Sequence, residues 1–365
     1  MTDSNPIAVR NPRVNRQAGL SLVEIMVVLT LSVSVIGVVS QVFLSVKRSH
    51  ISQTQITTMQ ANARHALQVL SENIRMAGYI GENQEFWNVK ETADSSQKLP
   101  ATIADECFTT DNASVAYRWV FPIMYNDGGT APNIHFGPML YGQDDGSSFF
   151  SGCIKSADRY QSNTDTISSH FVGPKSVPDA ASGAGLKKKT LYARVSLNGG
   201  KAFFCDSTDN CVPTDGVSGE LNYPIQAVTF FVSSCAAPGP DGACGTSDDI
   251  PGLMKIWLKP DGTVGKTTVA EGVVDMQVRY GLDSSGDGLA DQYVDGDVLH
   301  FKNKAHWKKM AAIKSVRIWL LMRGNFKESG FGAAKSSFAL ADQTRTTTDG
   351  YRYQLYDLTV SIRNG

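Results

Sequence analysis

The sequence predicts an α+β protein, in which one long N-terminal α-helix, half membrane-spanning and half amphipathic, packs on an antiparallel β-rich head. Three observations predict it. Residues 25–46 carry no charged side chain. No proline occurs between Pro12 and Pro100, and apolar residues between 47 and 77 recur at three- and four-residue steps, which is helical spacing. From about residue 100 onward, short β-type runs alternate with Gly/Pro/Asp/Ser loops.

The chain opens on a polar stretch, residues 1–19, where Arg10, Arg13 and Arg16 stand against the single acid Asp3. The uncharged run that follows is about 22 residues long, enough for a helix to cross a hydrocarbon core of about 30 Å. Lys47 and Arg48 close it. The basic leader predicts that the N-terminus stays on the cytoplasmic side and that the bulk of the chain is exported. A secretory signal peptide would place a small-residue cleavage site after the apolar run. No A-x-A site follows Val46, whereas the small pair Ala18-Gly19 precedes the run. Glu24 stands at the head of the run, where a carboxylate requires a partner or a task.

The combination "AGLSLVEIMVVL" resembles the class III signal of type IV pilins and of type II secretion pseudopilins: a basic leader ending in Gly, an apolar residue, and Glu at the fifth mature position. Here these are Gly19, Leu20 and Glu24, with Leu20 standing where Phe is most frequent. The resemblance implies that a prepilin peptidase cleaves between Gly19 and Leu20 and N-methylates Leu20. It also implies that Glu24 pairs with the cationic N-terminus of a neighbouring subunit, so that the buried charge is compensated. The bland alternative is a simple membrane anchor with a tolerated Glu.

Beyond Lys47, Ile56, Met59, Ala63, Ala66, Leu67, Leu70 and Ile74 form one apolar stripe, while Arg64, Glu72 and Arg75 fall off it. Gly78 supplies a C-terminal stop. The predicted helix, residues 20–77, is about 58 residues and roughly 87 Å long at 1.5 Å per residue. The stretch "ARHALQVLSENIRMAGYIG" resembles the PilW group of minor pilins, whose helix ends in an R-x-AGY-x-G run; no cysteine follows it here before Cys107, so a family bridge pattern does not carry over.

The predicted strands of the head are 114–121, 190–197, 201–205, 225–234, 253–260, 273–282, 313–324 and 353–363. In the last, Tyr356, Leu358, Val360 and Ile362 alternate with Leu355, Asp357, Thr359 and Ser361. Residues 122–185 are loop-rich and read as an insertion. "VVDMQVRYGLDSSGDGLADQYV" (273–294) is a second resemblance to the PilW group, continued by "VRIWLLMRG" (316–324) and by Arg363-Asn364. The resemblance implies a pilin-like head. The expected organisation is a leader at 1–19, a membrane or filament-core helix at 20–46, an amphipathic helix at 47–78 and a head at 79–365.

Net charge is −1 with a sequence pI of about 6.6, so no global basic field supports nucleic-acid binding. The local basic cluster at 186–190 reads as a solvated face, and 300–310 as a short exposed helix before a strand, rather than as nucleic-acid contacts. The six cysteines Cys107, Cys153, Cys205, Cys211, Cys235 and Cys244 all follow the apolar segment and show no C-x-x-C spacing. Disulfides in an oxidising compartment are expected, with their connectivity open. In "DSSGDGLAD" (283–291), Asp283, Ser285, Asp287, the Leu289 carbonyl and Asp291 fall at alternate positions around Gly288, as in a Ca²⁺ loop. Val294 occupies the place of the bidentate Glu, and an Asp/Gly-rich hairpin turn explains the same residues. The loop 239–249 reads as turn chemistry beside a disulfide. No G-x-S-x-G, H-E-x-x-H or P-loop motif occurs, so catalysis is not expected and Ca²⁺ is the single cofactor candidate.

The resemblance implies a minor pilin that helps initiate type IV pilus assembly and sits in a tip complex. Its expected partners are the prepilin peptidase, other minor pilins, the major pilin and a tip adhesin. Its expected place is the inner membrane with a periplasmic head, then the pilus. The alternatives are a J-type pseudopilin of type II secretion, or a membrane-anchored periplasmic enzyme or binding protein.

Overall fold

The computed structural model describes residues 19, 21–81, 89–91, 93, 123–125, 133–135, 139–147, 150, 152–173, 176–177, 185–205, 211–213, 221–259, 264–296, 312–328 and 335–363. The chain divides into two units, Met1–Thr54 and Gln55–Gly365.

The described part of the first unit is helical. Helix α1, Leu22–Met76, begins where the Ser21 carbonyl accepts the Ile25 N–H at 3.1 Å. Within the apolar run the Thr30 hydroxyl donates to the Val27 carbonyl and the Ser34 hydroxyl to the Thr30 carbonyl, each at 2.9 Å. These polar side chains are therefore satisfied by their own helix, as a span through hydrocarbon requires.

In the second unit, α1 buries Gln55, Met59, Ala63, Ala66, Leu70, Ser71 and Ile74. The line from Met59 to Ile74 follows the predicted stripe, while Ile56 and Leu67 are half-buried at its margin. Gln55 takes the inward place one turn before Met59 because helical geometry, not polarity, fixes that face. Its Oε1 fills the space of an absent side chain at Gly324, where an added Cβ would lie 2.2 Å away. The helix stops at Met76. Gly78 then adopts φ 76°, which a side chain would resist, and donates its N–H to the His170 carbonyl at 2.9 Å.

The head comprises β1 (Val89–Glu91), β2 (Ile123–Tyr125), β3 (Asn133–His135), β4 (Leu140–Gln143), β5 (Thr166–Val172), β6 (Thr190–Ser196), β7 (Gly199–Cys205), β8 (Leu221–Ala237), β9 (Ile250–Leu258), β10 (Val264–Glu271), β11 (Val273–Leu282), β12 (Gln292–Val294), β13 (Ile313–Lys327), β14 (Ser336–Leu340), β15 (Gln343–Thr347) and β16 (Tyr351–Ser361). Ten strands form one sheet, ordered β10-β9-β8-β6-β7-β1-β3-β2, with β5 also paired to β8 and β4 to β5. Strand β8 is its hub: it pairs with β6 over 221–224, then with β5 over 225–230, and with β9 from Val228. Pro224, which has no N–H to donate, sits where the partner changes. A second sheet runs β12-β11-β13-β16, and β14-β15 form a hairpin. All described pairings are antiparallel except β1 with β7. The architecture is the α+β arrangement that the sequence predicts.

Seven of the predicted strands correspond to β6, β7, β8, β9, β11, β13 and β16; residues 114–121 lie outside the described residues. In β16, Val360 and Ile362 are buried while Asp357, Thr359 and Ser361 are exposed, as the alternation requires. The stretch 122–185 contains β2, β3, β4 and β5, and β5 is buried along its whole length in the middle of the larger sheet. Its sequence, "TISSHFV", hides this because it carries polar side chains into the interior; of these, Ser168 is bonded across the sheet, accepting from the Thr229 hydroxyl at 2.9 Å and donating to the Val228 carbonyl at 3.2 Å. One core joins the inner face of α1 to apolar residues of both larger sheets, Leu70 and Ile74 with Phe230, Phe231, Met276, Ile318 and Val360 among them.

Candidate functional site

Two regions carry the residues singled out from sequence. At the N-terminal region, Gly19 is exposed and Leu20 lies outside the described residues. Glu24 lies in the first turn of α1, three residues after Ser21. That position favours an acid, because the helix N-terminus carries partial positive charge, and Ser-x-x-Glu is the spacing of a capping box. Behind Glu24 the helix exposes apolar side chains: Val33, Ile36 and Phe43 are each more than three-fifths exposed. Its most apolar window has a mean hydropathy of 2.5, and the helix is long and apolar enough to cross a membrane. Burying one such side chain is worth about 1.5–3 kcal/mol, so the whole stretch demands lipid or neighbouring helices.

The second region is the loop between β11 and β12. Gly286 and Gly288 take φ 82° and 87°, bending the chain sharply. Asp283 accepts the N–H groups of Gly286 at 2.6 Å and Gly288 at 2.8 Å. Asp291 accepts those of Ser284 at 2.7 Å and Ser285 at 2.8 Å, and Asp287 accepts that of Leu289 at 2.8 Å. Desolvation raises the Asp283 carboxyl, but the Gly288 and Gly286 bonds and the charge of Lys314 together hold it below the usual carboxylate range. Ser285 bonds weakly to both Asp283 and Asp291, at 3.4 Å. The three carboxylates, predicted as Ca²⁺ ligands with Ser285 and Leu289, thus cap backbone donors in a hairpin turn, and they form no convergent three-acid group among the described residues. The Leu289 side chain points to solvent.

Two cysteine pairs are joined: Cys205 to Cys211 and Cys235 to Cys244, with Cα–Cα distances of 5.7 and 5.9 Å. Cys153 is disulfide-bonded, and Cys107 lies outside the described residues. The 239–249 loop is turn chemistry beside a disulfide: Gly245 donates to Asp249 at 2.7 Å, and Arg159 donates to the Cys244 carbonyl at 2.8 Å. Residues 300–310 lie outside the described residues.

Carboxylates that do converge lie elsewhere: Asp144, Asp145 and Asp165 in one group, and Asp144, Asp295 and Asp342 in another. Sequence reasoning did not bring these residues together. The adjacent pair in "QDDG" (143–146) was a local signal, but nothing in the sequence links it to positions 165, 295 and 342.

The model of a protein family, Type IV Pilus-assembly protein W, matches residues 229–364. The match supports a part in type IV pilus assembly. It begins on β8, and it includes the 273–294 element and all of β9 to β16. Helix α1 and β1 to β7 lie outside it. No curated protein and no solved structure matches the chain.

Proposed function

We propose that this chain is a minor pilin, a structural subunit without catalytic activity that helps initiate assembly of a type IV pilus. The observation that carries this reading is the family match over 229–364, on a chain whose helix α1 exposes an apolar stretch with Glu24 in its first turn. The reading assigns Gly19–Leu20 as the processing site of a prepilin peptidase. Glu24 is the assembly contact to a neighbouring N-terminus. The head, held periplasmic before extraction from the inner membrane, contacts other minor pilins, the major pilin and a tip adhesin.

Deletion of the gene tests this reading. Loss of surface pili and twitching with secretion intact supports it. Loss of secretion with pili intact would instead support a J-type pseudopilin.

A further inference from the structure

Asp144 and Asp145 follow β4, Asp165 precedes β5, Asp295 follows β12, and Asp342 lies in the β14–β15 turn. One carboxylate oxygen from each of Asp144, Asp145 and Asp165 lies within 4.8 Å of the others, and the same holds for Asp144, Asp295 and Asp342. Oxygens bound to one Ca²⁺ at about 2.3–2.6 Å stand no farther apart than about 5 Å. The two groups share Asp144; Asp165 is buried, 3% exposed, whereas Asp145 and Asp342 are exposed.

An independent observation points to a missing ligand. Tyr280 on β11 is 1% exposed, and its buried hydroxyl has no hydrogen-bond partner among the described residues. The hydroxyl reaches the backbone at Gly142, where an added Cβ would lie 2.3 Å from it. There it lies within the electrostatic reach of Asp165 and Asp144. A hydroxyl buried without a partner is destabilising, because its lost hydration is not replaced. A second glycine keeps the approach open: a Cβ at Gly296, beside Asp295, would meet the Gly142 carbonyl at 3.0 Å.

We propose that Asp144, Asp145, Asp165, Asp295 and Asp342 bind a Ca²⁺ ion, with the Tyr280 hydroxyl bonding to its coordination shell. The donors are hard oxygens from separate segments, an irregular set that suits Ca²⁺ better than octahedral Mg²⁺. Protein groups already orient the ligands. Asp165 accepts the N–H groups of Asp145 at 2.9 Å and Val278 at 2.7 Å. Arg279 forms an ion pair with Asp295 at 2.9 Å, and Gln343 donates a hydrogen bond to Asp145. Each carboxylate oxygen has two lone pairs, so one such bond does not exhaust it. A bound cation would compensate the crowded carboxylates and clamp the β14–β15 hairpin to the larger sheet. The inference stands apart from the pilus reading.

Equilibrium dialysis of radioactive Ca²⁺ against the full chain in detergent, stripped beforehand with EDTA, tests it. The expected result is saturable binding at millimolar Ca²⁺ or below, with a Tm rise of a few degrees that Mg²⁺ does not reproduce. Asp144→Asn and Asp342→Asn should each weaken binding about tenfold or more, Tyr280→Phe should weaken it measurably, and Asp287→Ala should leave it unchanged. Asp342 lies in an exposed turn, so its variant tests the site even if Asp144→Asn folds poorly. No binding at millimolar Ca²⁺, an equal response to Mg²⁺, or binding lost only in Asp287→Ala would overturn the proposal.

Discussion

A carboxylate at the head of an apolar helix is tolerated only where its charge has a partner. Glu24 has a local advantage in its first-turn position, but that favours any short acid there and does not explain the apolar surroundings. The assembly reading supplies the partner as a neighbour's amino group. Glu24→Ala should therefore leave membrane insertion intact while lowering the amount recovered from sheared pili by about tenfold or more; immunoblots of membrane and pilus fractions measure both. Asp165 makes a separate residue-scale prediction. Its folded-state pKa, about 8 through burial, lies above its unfolded value. The native state therefore holds the extra proton, and this group's stabilisation is full below about pH 4 and lost as pH rises towards about 8. Calcium-free protein should have a lower urea midpoint at about pH 8 than at about pH 5, and Asp165→Asn should flatten that difference. Glu24 was legible in the sequence because its neighbours in the chain define it. Asp165 was not, because burial and tertiary proximity define it.

Elements built on periodicity were the most legible. The inward line of α1 shows in Met59, Ala63, Ala66, Leu70 and Ile74, and the strands β11, β13 and β16 in their apolar runs. Strand β5 escaped because it buries hydroxyls, such as that of Ser168 bonded across the sheet, where apolar groups would have marked it. The hairpin β14–β15 escaped because it exposes polar residues on both strands. Leu70 is fully buried between helix and sheets, so Leu70→Ala should destabilise the head by about 2–5 kcal/mol in urea unfolding. The hairpin is held partly by Arg345 of β15, which pairs with the buried Asp275 of β11. Burial raises the Asp275 carboxyl despite its bonds to Gln277 and Arg345. Arg345→Ala should therefore cost about 2–3 kcal/mol, because it leaves a buried carboxylate with less compensation. It should also speed amide exchange in 336–347 before the rest of the head.

For the whole molecule, the sequence conveyed a division of labour: an apolar helix that one chain cannot cover, followed by a β-rich head with its own core. It did not convey how the strands are ordered, since β8 exchanges partners along its length and joins segments far apart in the chain. Closing loops of the size bounded by Cys205–Cys211 and Cys235–Cys244 is worth about 2–3 kcal/mol each. These bonds fit a head that matures in an oxidising compartment. The central claim, a processed subunit built into a pilus, is tested most directly by mass spectrometry of the chain recovered from purified, sheared pili. The account predicts an N-terminal peptide beginning at methylated Leu20. A chain that retains Met1, or that is absent from pili while abundant in the membrane, would contradict it.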